Sequence, residues 1–462
     1  MVWWRRALMV CALLPLVLAS VANWGRGVGL DQDGGEILRI IPYLRSGTYT
    51  PSRTSGFPLY EYLAAGVVHV SVLQALSVVF TAATLVLLAA LVRPDRSWIG
   101  LLGWATYAML PGTIASATSV IEIPLLALLI TLLWWLIFFT NAQWVLVVIA
   151  ALAVLTRPDA ALVVVSTALV WAIWRSERHV GRFLLGGAAI GIAVILLLNR
   201  GIPEGELLTE SLVRSVARAT VSLSTLTNLV GLLGLAGLLL GLTIAAVGRG
   251  ADRDRIFYSR WLLAVLAVVA LRFAVLPDEL DYLLGAIITL VVLAPRVAGP
   301  RLVTLSLAVL FVGMASTALV TFSLFQRSDP WADNPHLDPS VNPGGVIQDI
   351  EARQATTIRK TAEYQAYFGQ DAETLVLPSS MWYQIFSPRF APSYQQYRVL
   401  LGCVGLTSRS EPPGWRLSQP AGVYEDVEIF LDGREPQCEV VADRSGSDWQ
   451  VLVQALPSSN AR

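Results

Sequence analysis

The chain has 462 residues, 55% of them hydrophobic and only 14% charged, with 33 basic and 33 acidic side chains and no net charge. A soluble domain is nearer a quarter charged. A nucleic-acid partner needs a basic face, and this neutral chain with a single lysine, Lys360, has no basic stripe to offer. The three histidines, His69, His179 and His336, are far apart, and HExxH, CxxC and glycine-rich phosphate loops are absent, so zinc chemistry and nucleotide hydrolysis have no sequence support.

About 20 apolar residues are needed to cross roughly 30 Å of hydrocarbon, and such runs recur from the N-terminus to Phe325. They predict an all-α polytopic membrane protein of about eleven spans: Leu8–Trp24, Val70–Val92, Trp98–Ala117, Ile123–Phe139, Trp144–Leu155, Ala160–Trp174, Phe183–Leu198, Leu226–Val247, Trp261–Leu276, Tyr282–Ala294 and Val303–Phe325. The short pair flanking TRPDA also reads as one long broken helix. The first run, after WWRR and before Ser20-Val21-Ala22, has features of a signal peptide, and cleavage after Ala22 would leave the next loop on the same side. Cys11, inside that run, reads as a small core residue.

Arginines in alternate short loops set the orientation. With Arg5 and Arg6 in the cytoplasm, Arg93 and Arg96, then Arg175, Arg178 and Arg182, then Arg249, Arg253, Arg255 and Arg260, then Arg296 and Arg301 share that side. The short loops around Glu122 and Pro277–Asp281 hold no arginine and are outside, as are the first loop, residues 25–69, and the C-terminal tail. The expected location is the plasma membrane.

The first loop opens with Asp31, Asp33 and Glu36. Ile37, Ile40, Ile41 and Leu44 follow at helical spacing, a pattern suited to a short helix lying in the membrane interface. Asp31 or Asp33 can cap that helix, act as a general base, or hold a divalent cation such as Mg or Mn. Residues 326–345, rich in Pro, Asn and Asp, read as a linker. In residues 346–462, a helical pattern over Val346–Phe368 and strand-like runs at Thr374–Leu377, Val423–Leu431 and Trp449–Leu456 predict a small extracytoplasmic α/β domain. Cys403 and Cys438 could pair there if the tail is exported.

The same topology brings Glu122, Arg157, Asp159, Arg272, Asp278, Glu279 and Asp281 to the outer face. Solvated loop ends explain each of them singly, and Arg157 and Asp159 could simply neutralise one another. Together, acids and arginines at a lipid boundary suit transfer from a lipid-phosphate sugar. Arginine or a carboxylate-held cation steadies the leaving phosphate, a carboxylate takes the acceptor's proton, and apolar helices hold the lipid tail.

The order of motifs resembles the GT-C superfamily of polyprenyl-phosphate-sugar-dependent glycosyltransferases, over roughly Arg5 to Val297. DGGEI followed by GFPLY is similar to O-mannosyltransferase-like members with Asp-x-Gly-Glu and Pro-Gly-Tyr-Pro-Leu patterns. LTRPDA at Leu155–Ala160 resembles a Leu-Thr-Arg-Pro-Asp element, Glu122-Ile-Pro-Leu an acidic-x-Pro-Leu element, and Asp281-Tyr-Leu-Leu an Arg-Tyr-Leu-Leu-Pro segment. Two positions depart: Gly56-Phe57-Pro58-Leu59 stands for His-Pro-Pro-Leu, and Asp281 stands where arginine is usual. The resemblance implies a GT-C-like transmembrane domain over residues 1–325 and a base at Asp33, favoured by the local pattern, or at Asp31. Arg157, Arg272 or Arg53 would hold the donor phosphate, and Glu36, Glu122 and Asp159 would position acceptor or metal. The partners would be a polyprenyl-phosphate sugar, membrane lipid and a glycan, lipid or protein acceptor. A transporter or flippase of lipid-linked glycans and a non-catalytic assembly protein are the rival classes.

Overall fold

A computed structural model describes the backbone at residues 2–24, 34, 37, 40–41, 44–49, 51–52, 56–67, 70–140, 142–175, 177–199, 212–247, 252–275, 283–326, 336–343, 374–377, 398–404, 415–417 and 437–442. Its helices are α1 (Val2–Asn23), α2 (Pro58–Gly66), α3 (Val70–Val92), α4 (Trp98–Met109), α5 (Pro111–Ser116), α6 (Ile123–Phe139), α7 (Gln143–Thr156), α8 (Ala160–Trp174), α9 (Arg178–Leu198), α10 (Leu212–Val247), α11 (Arg253–Val275), α12 (Leu284–Val297) and α13 (Arg301–Ser316).

Among the described residues, five stretches are long and apolar enough to cross a membrane: Trp3–Ala22, Ser71–Val92, Arg178–Leu198, Val230–Val247 and Arg253–Phe273. Their number and composition mark a helical membrane protein. The apolar helices α6, α7, α8, α12 and α13 are shorter. At 1.5 Å per residue, the 14 residues of α7 reach only about 21 Å.

The short helices form the centre. All but two residues of α12 are buried, as is most of α6. α12 packs against α3, α4, α6, α8 and α11. The long stretches keep most of their residues at the surface, as lipid-facing helices should. Cys11 belongs to that surface: it is exposed on α1, not a core residue.

Two expected spans are corrected. The run Trp98–Ala117 is two helices, because Pro111 has no amide to continue the ladder and Leu110 before it is extended, at φ −61° and ψ 135°. The last helix stops at Ser316 instead of Phe325. The Ser316 and Thr317 hydroxyls bond back to the Gly313 and Met314 carbonyls, and the following alternation Val-Thr-Phe-Ser-Leu-Phe suits a strand. That strand, β1 (Val320–Gln326), pairs antiparallel with β2 (His336–Pro343). Further on, β3 (Thr374–Leu377), β4 (Arg398–Val404), β5 (Trp415–Leu417) and β6 (Gln437–Ala442) form a sheet of order β5-β3-β4-β6. β3 runs parallel to β4 and β5, and β6 antiparallel to β4. The helix expected over 346–368 and the strands expected over 423–431 and 449–456 lie outside the described residues. Cys403 and Cys438 fall on the neighbouring strands β4 and β6.

α7 and α8 form a hairpin and not one broken helix. Along α9, a Cβ at Gly187 would press on Ala150 and one at Gly191 on Val154, so α9 and α7 run the same way. Gly181, near the start of α9, meets Ala168 and Ala172 at the far end of α8. The sequence TRPD is therefore the hairpin's tip. Pro158 cannot extend α7, and Arg157 is already extended, at φ −155°.

Candidate functional site

The hairpin tip carries a buried ion pair. Arg157 is 1% exposed, and its Nη1 donates to Glu122 Oε1 at 3.2 Å while its Nε donates to Asp159 Oδ1 at 3.1 Å. One guanidinium thus ties the start of α6 to the tip between α7 and α8. Glu122 is fully buried at the end of a turn of buried Thr118, Ser119, Val120 and Ile121. Ser77 of α3 donates to the Ser119 carbonyl at 2.7 Å and anchors that turn.

Arg272, half-buried in the last turn of α11, lies close enough to act on Asp159. Burial is the strongest influence on the Asp159 carboxyl and pushes its pKa up; the Arg157 charge, and more weakly that of Arg272, pull it back. Helix packing explains the approach. The Trp261 indole N–H donates to Thr167 Oγ1 at 2.8 Å and Trp171 meets Phe257 edge-on at 5.3 Å, so α11 and α8 are antiparallel. The end of α11 then sits level with the start of α8. α12 starts at the same level, since Gly285 faces Val163.

The described part of the first loop packs on the bundle at this end. Ile37, Ile40, Ile41 and Leu44 are helical and no more than 6% exposed. They are covered by protein instead of lying on lipid, which corrects the interfacial expectation: their apolar edge serves the core. Arg45 donates to the carbonyls of Ala65 and Val67 at 2.9 and 3.0 Å, closing the loop's two halves on each other at the end of α2. On α2's other end, the Phe57 ring centroid is 5.8 Å from the Arg157 guanidinium carbon. Tyr60 is buried beside Glu122, Ser77 and the Ile121 backbone, and its hydroxyl makes no hydrogen bond of normal geometry.

Glu61, one residue on, is fully buried and accepts three hydrogen bonds: from Tyr49 Oη at 2.8 Å, from the Ser52 amide at 2.8 Å and from Ser52 Oγ at 2.6 Å. Burial and the adjoining carboxylate push the Tyr49 phenol pKa far up, so it stays a donor. Gly56 adopts φ +66°, and a Cβ there would collide with the Tyr49 hydroxyl and touch Pro51 at 3.0 Å.

Of the residues singled out in the sequence, the structure brings Glu122, Arg157, Asp159 and Arg272 together. Asp31, Asp33, Glu36, Arg53, Asp278, Glu279 and Asp281 lie outside the described residues. Among the described residues, no three His, Cys, Asp or Glu side chains group as a metal site would require. The sequence reading gave no role to Phe57, Tyr60 or Glu61. The signal was there: PLYEYLAAG is a nine-residue helix with one acid in an otherwise apolar and aromatic setting, an expensive residue to bury without a purpose. Comparison with protein-family models, with curated proteins and with solved structures finds no match to this chain.

Proposed function

We propose that this chain is an integral membrane glycosyltransferase of GT-C-like build, moving one sugar from a polyprenyl-phosphate carrier to an acceptor hydroxyl at the outer face of the plasma membrane. The observation that carries the reading is the buried Arg157 bridge to Glu122 and Asp159, packed against Phe57 at the end of the first loop. An apolar bundle that converges acids and an arginine pair at one end, in a chain whose first loop carries Asp31, Asp33 and Glu36 in sequence, has the parts this chemistry uses.

In this reading the bundle crosses about eleven times, its short central helices sheltered by the long outer ones, with the N-terminus cytoplasmic and an α/β tail outside. Asp33, or Asp31, accepts the proton of the acceptor hydroxyl as its oxygen attacks the anomeric carbon. The bond from that carbon to the phosphate oxygen breaks with inversion, and the lipid phosphate leaves with the bonding pair. Arg272 and Arg53 steady the departing charge. Arg157, with two donors already on carboxylates, holds α6, α7 and α8 in register beneath the phosphate. Glu36, Glu122 and Asp159 shape the acceptor side, and any divalent cation is held by Asp31 and Asp33.

The test is direct. Purified protein is supplied with a panel of polyprenyl-phosphate sugars and release of free lipid phosphate is followed. The expected result is turnover of one donor, lost in either Asp33→Asn or Asp31→Asn and lowered at least tenfold in Arg272→Gln, since a charge-stabilising donor contributes about 10²–10³ to such a step. Folded Asp31→Asn and Asp33→Asn variants that both turn over like the parent would end this reading of the loop.

A further inference from the structure

We propose that the arginine-bearing end of the bundle holds the headgroup of an anionic phospholipid at the corner between α12 and α13, where Arg93, Arg255 and Arg296 converge. The proposal stands on the membrane reading alone and does not use the glycosyltransferase reading.

Three helices deliver one arginine each. Arg296, in the last turn of α12, lies over Phe138 at the end of α6, 3.8 Å from ring centroid to guanidinium carbon, and its Nη1 donates to the Val292 carbonyl. Gly299 then turns the chain toward α13 at φ +150°. The Arg255 guanidinium, from the first turn of α11, lies so close to that glycine that a Cβ there would fall 2.8 Å from Nη2. Arg93, directly after α3, is near enough to Arg296 for the two charges to repel. Among the described residues none of the three has a carboxylate partner, and the Arg255 Nε is buried without a hydrogen bond. Nearby acids are engaged elsewhere: Asp254 pairs with Arg175 at 2.8 Å, and Asp95 lies beside Arg96 at 3.7 Å.

Arg93 supplies an independent observation. It stands at φ +48°, the left-handed conformation that ends many helices and suits glycine. Its amide closes α3 on the Ala89 carbonyl, and its own carbonyl takes the amides of Arg96 and Ser97. That turn uses only the Arg93 backbone. A side chain costs stability there, and Pro94 after it favours extended backbone instead. A guanidinium kept in a strained place, beside a like charge, points to a ligand for that charge. The end of a membrane bundle sits among headgroups, and a phosphodiester accepts from guanidinium forks in pairs. Basic pockets between helix ends take anionic headgroups in this way. α13 leads away from the corner with Leu302 and Leu305 exposed, an apolar wall for acyl chains. That wall favours a lipid over free phosphate.

The experiment places the full-length protein in nanodiscs of phosphatidylcholine, alone or mixed in equal parts with phosphatidylglycerol. Native mass spectrometry reads the lipid retained, and the thermal unfolding midpoint is taken in both compositions. The parent should retain phosphatidylglycerol in preference and melt higher in the mixture. Arg255→Gln and Arg93→Gly should each lower that preference about fivefold. Arg182→Gln, at an exposed arginine of α9 on the same end, should leave it unchanged. Arg93→Gly carries a sign that a packing role would not give. In phosphatidylcholine alone it should melt above the parent, because glycine relieves the left-handed backbone, and it should lose the gain from phosphatidylglycerol. If Arg255→Gln does not fold, Arg93→Gly decides alone. A parent without a lipid preference, or variants that keep the parental one, overturns the proposal. So does an equal loss in Arg182→Gln, which would show diffuse charge and no site, and so does Arg93→Gly melting below the parent in phosphatidylcholine. Sodium phosphate is added to the neutral nanodiscs at matched ionic strength; a midpoint raised as far as by phosphatidylglycerol would assign the corner to free phosphate and overturn the lipid.

Discussion

Arg157 and Arg175 occupy the same local position, each the C-terminal cap of a helix in one hairpin and each extended. The helix dipole favours a cation at both places. Their surroundings differ. Arg157 turns inward to Glu122 and Asp159 and is 1% exposed. Arg175 lies over Phe257, 4.3 Å from the ring centroid to its guanidinium carbon, and pairs with a largely exposed Asp254 at 2.8 Å. The Arg175 end is an aromatic block in which Trp134, Phe138, Trp171, Phe257 and Trp261 contact one another, with Arg296 over Phe138 at 3.8 Å. Charge is balanced by two buried carboxylates from separate segments at one end, and by ring faces with one exposed carboxylate at the other. The first arrangement can respond to a charged substrate, because moving one partner changes the charge felt by the rest. The second is a clamp.

The largest expected effect is at Arg157. Arg157→Leu leaves Glu122 and Asp159 buried without their cation and should cost about 3–5 kcal/mol, read as a lower unfolding midpoint in detergent. The variant Glu122→Leu/Arg157→Leu/Asp159→Asn should recover much of that loss, and under the proposed glycosyltransferase reading it should lose turnover, since an apolar replacement of a whole buried pair is often neutral or stabilising for the fold. A triple variant no more stable than Arg157→Leu would break the comparison, showing the arginine to matter for packing alone.

At the clamp, Trp261→Phe should cost about 1–3 kcal/mol, because it leaves the Thr167 hydroxyl without its indole donor and thins the edge-on contacts to Trp134 and Trp171. Gly56→Ala should cost more than Arg175→Leu, because its Cβ meets the Tyr49 hydroxyl and Pro51 on top of the about 1–2 kcal/mol of a positive φ, with faster hydrogen exchange around Tyr49 as its local signature. Arg175→Leu should cost only about 1 kcal/mol, the worth of one cation–π contact plus an exposed ion pair, and the loss should shrink in high salt. Equal losses for Arg157→Leu and Arg175→Leu would erase the distinction between the ends.

Much of the helical plan was legible because apolar runs bounded by Pro, Arg and Asp leave little choice: α3, α6 and α8 have the boundaries the sequence predicts. The misjudged ends have local causes. Pro111 divides one run, and a switch from helical to alternating pattern after Thr317 ends another. The candidate site was half legible. Glu122, Arg157, Asp159 and Arg272 could be placed on one face from loop order alone, because hairpins return alternate loops to the same side. Which carboxylates Arg157 would take could not be read, since Glu122 is 35 residues away and Arg272 acts from another helix. Glu61 was missed because its partners, Tyr49 and Ser52, are ordinary polar loop residues until the chain doubles back.

The sequence by itself determined that this is a helical membrane protein with its acids and arginines gathered in loops, because hydrocarbon thickness and the cost of buried charge act on the chain locally. Only the tertiary structure decided that the loop helix packs on protein and not on lipid, that TRPD is the tip of a hairpin, and that one arginine is shared by two carboxylates. Those outcomes depend on which surfaces meet, and contacts between distant segments are fixed by packing rather than by any run of residues.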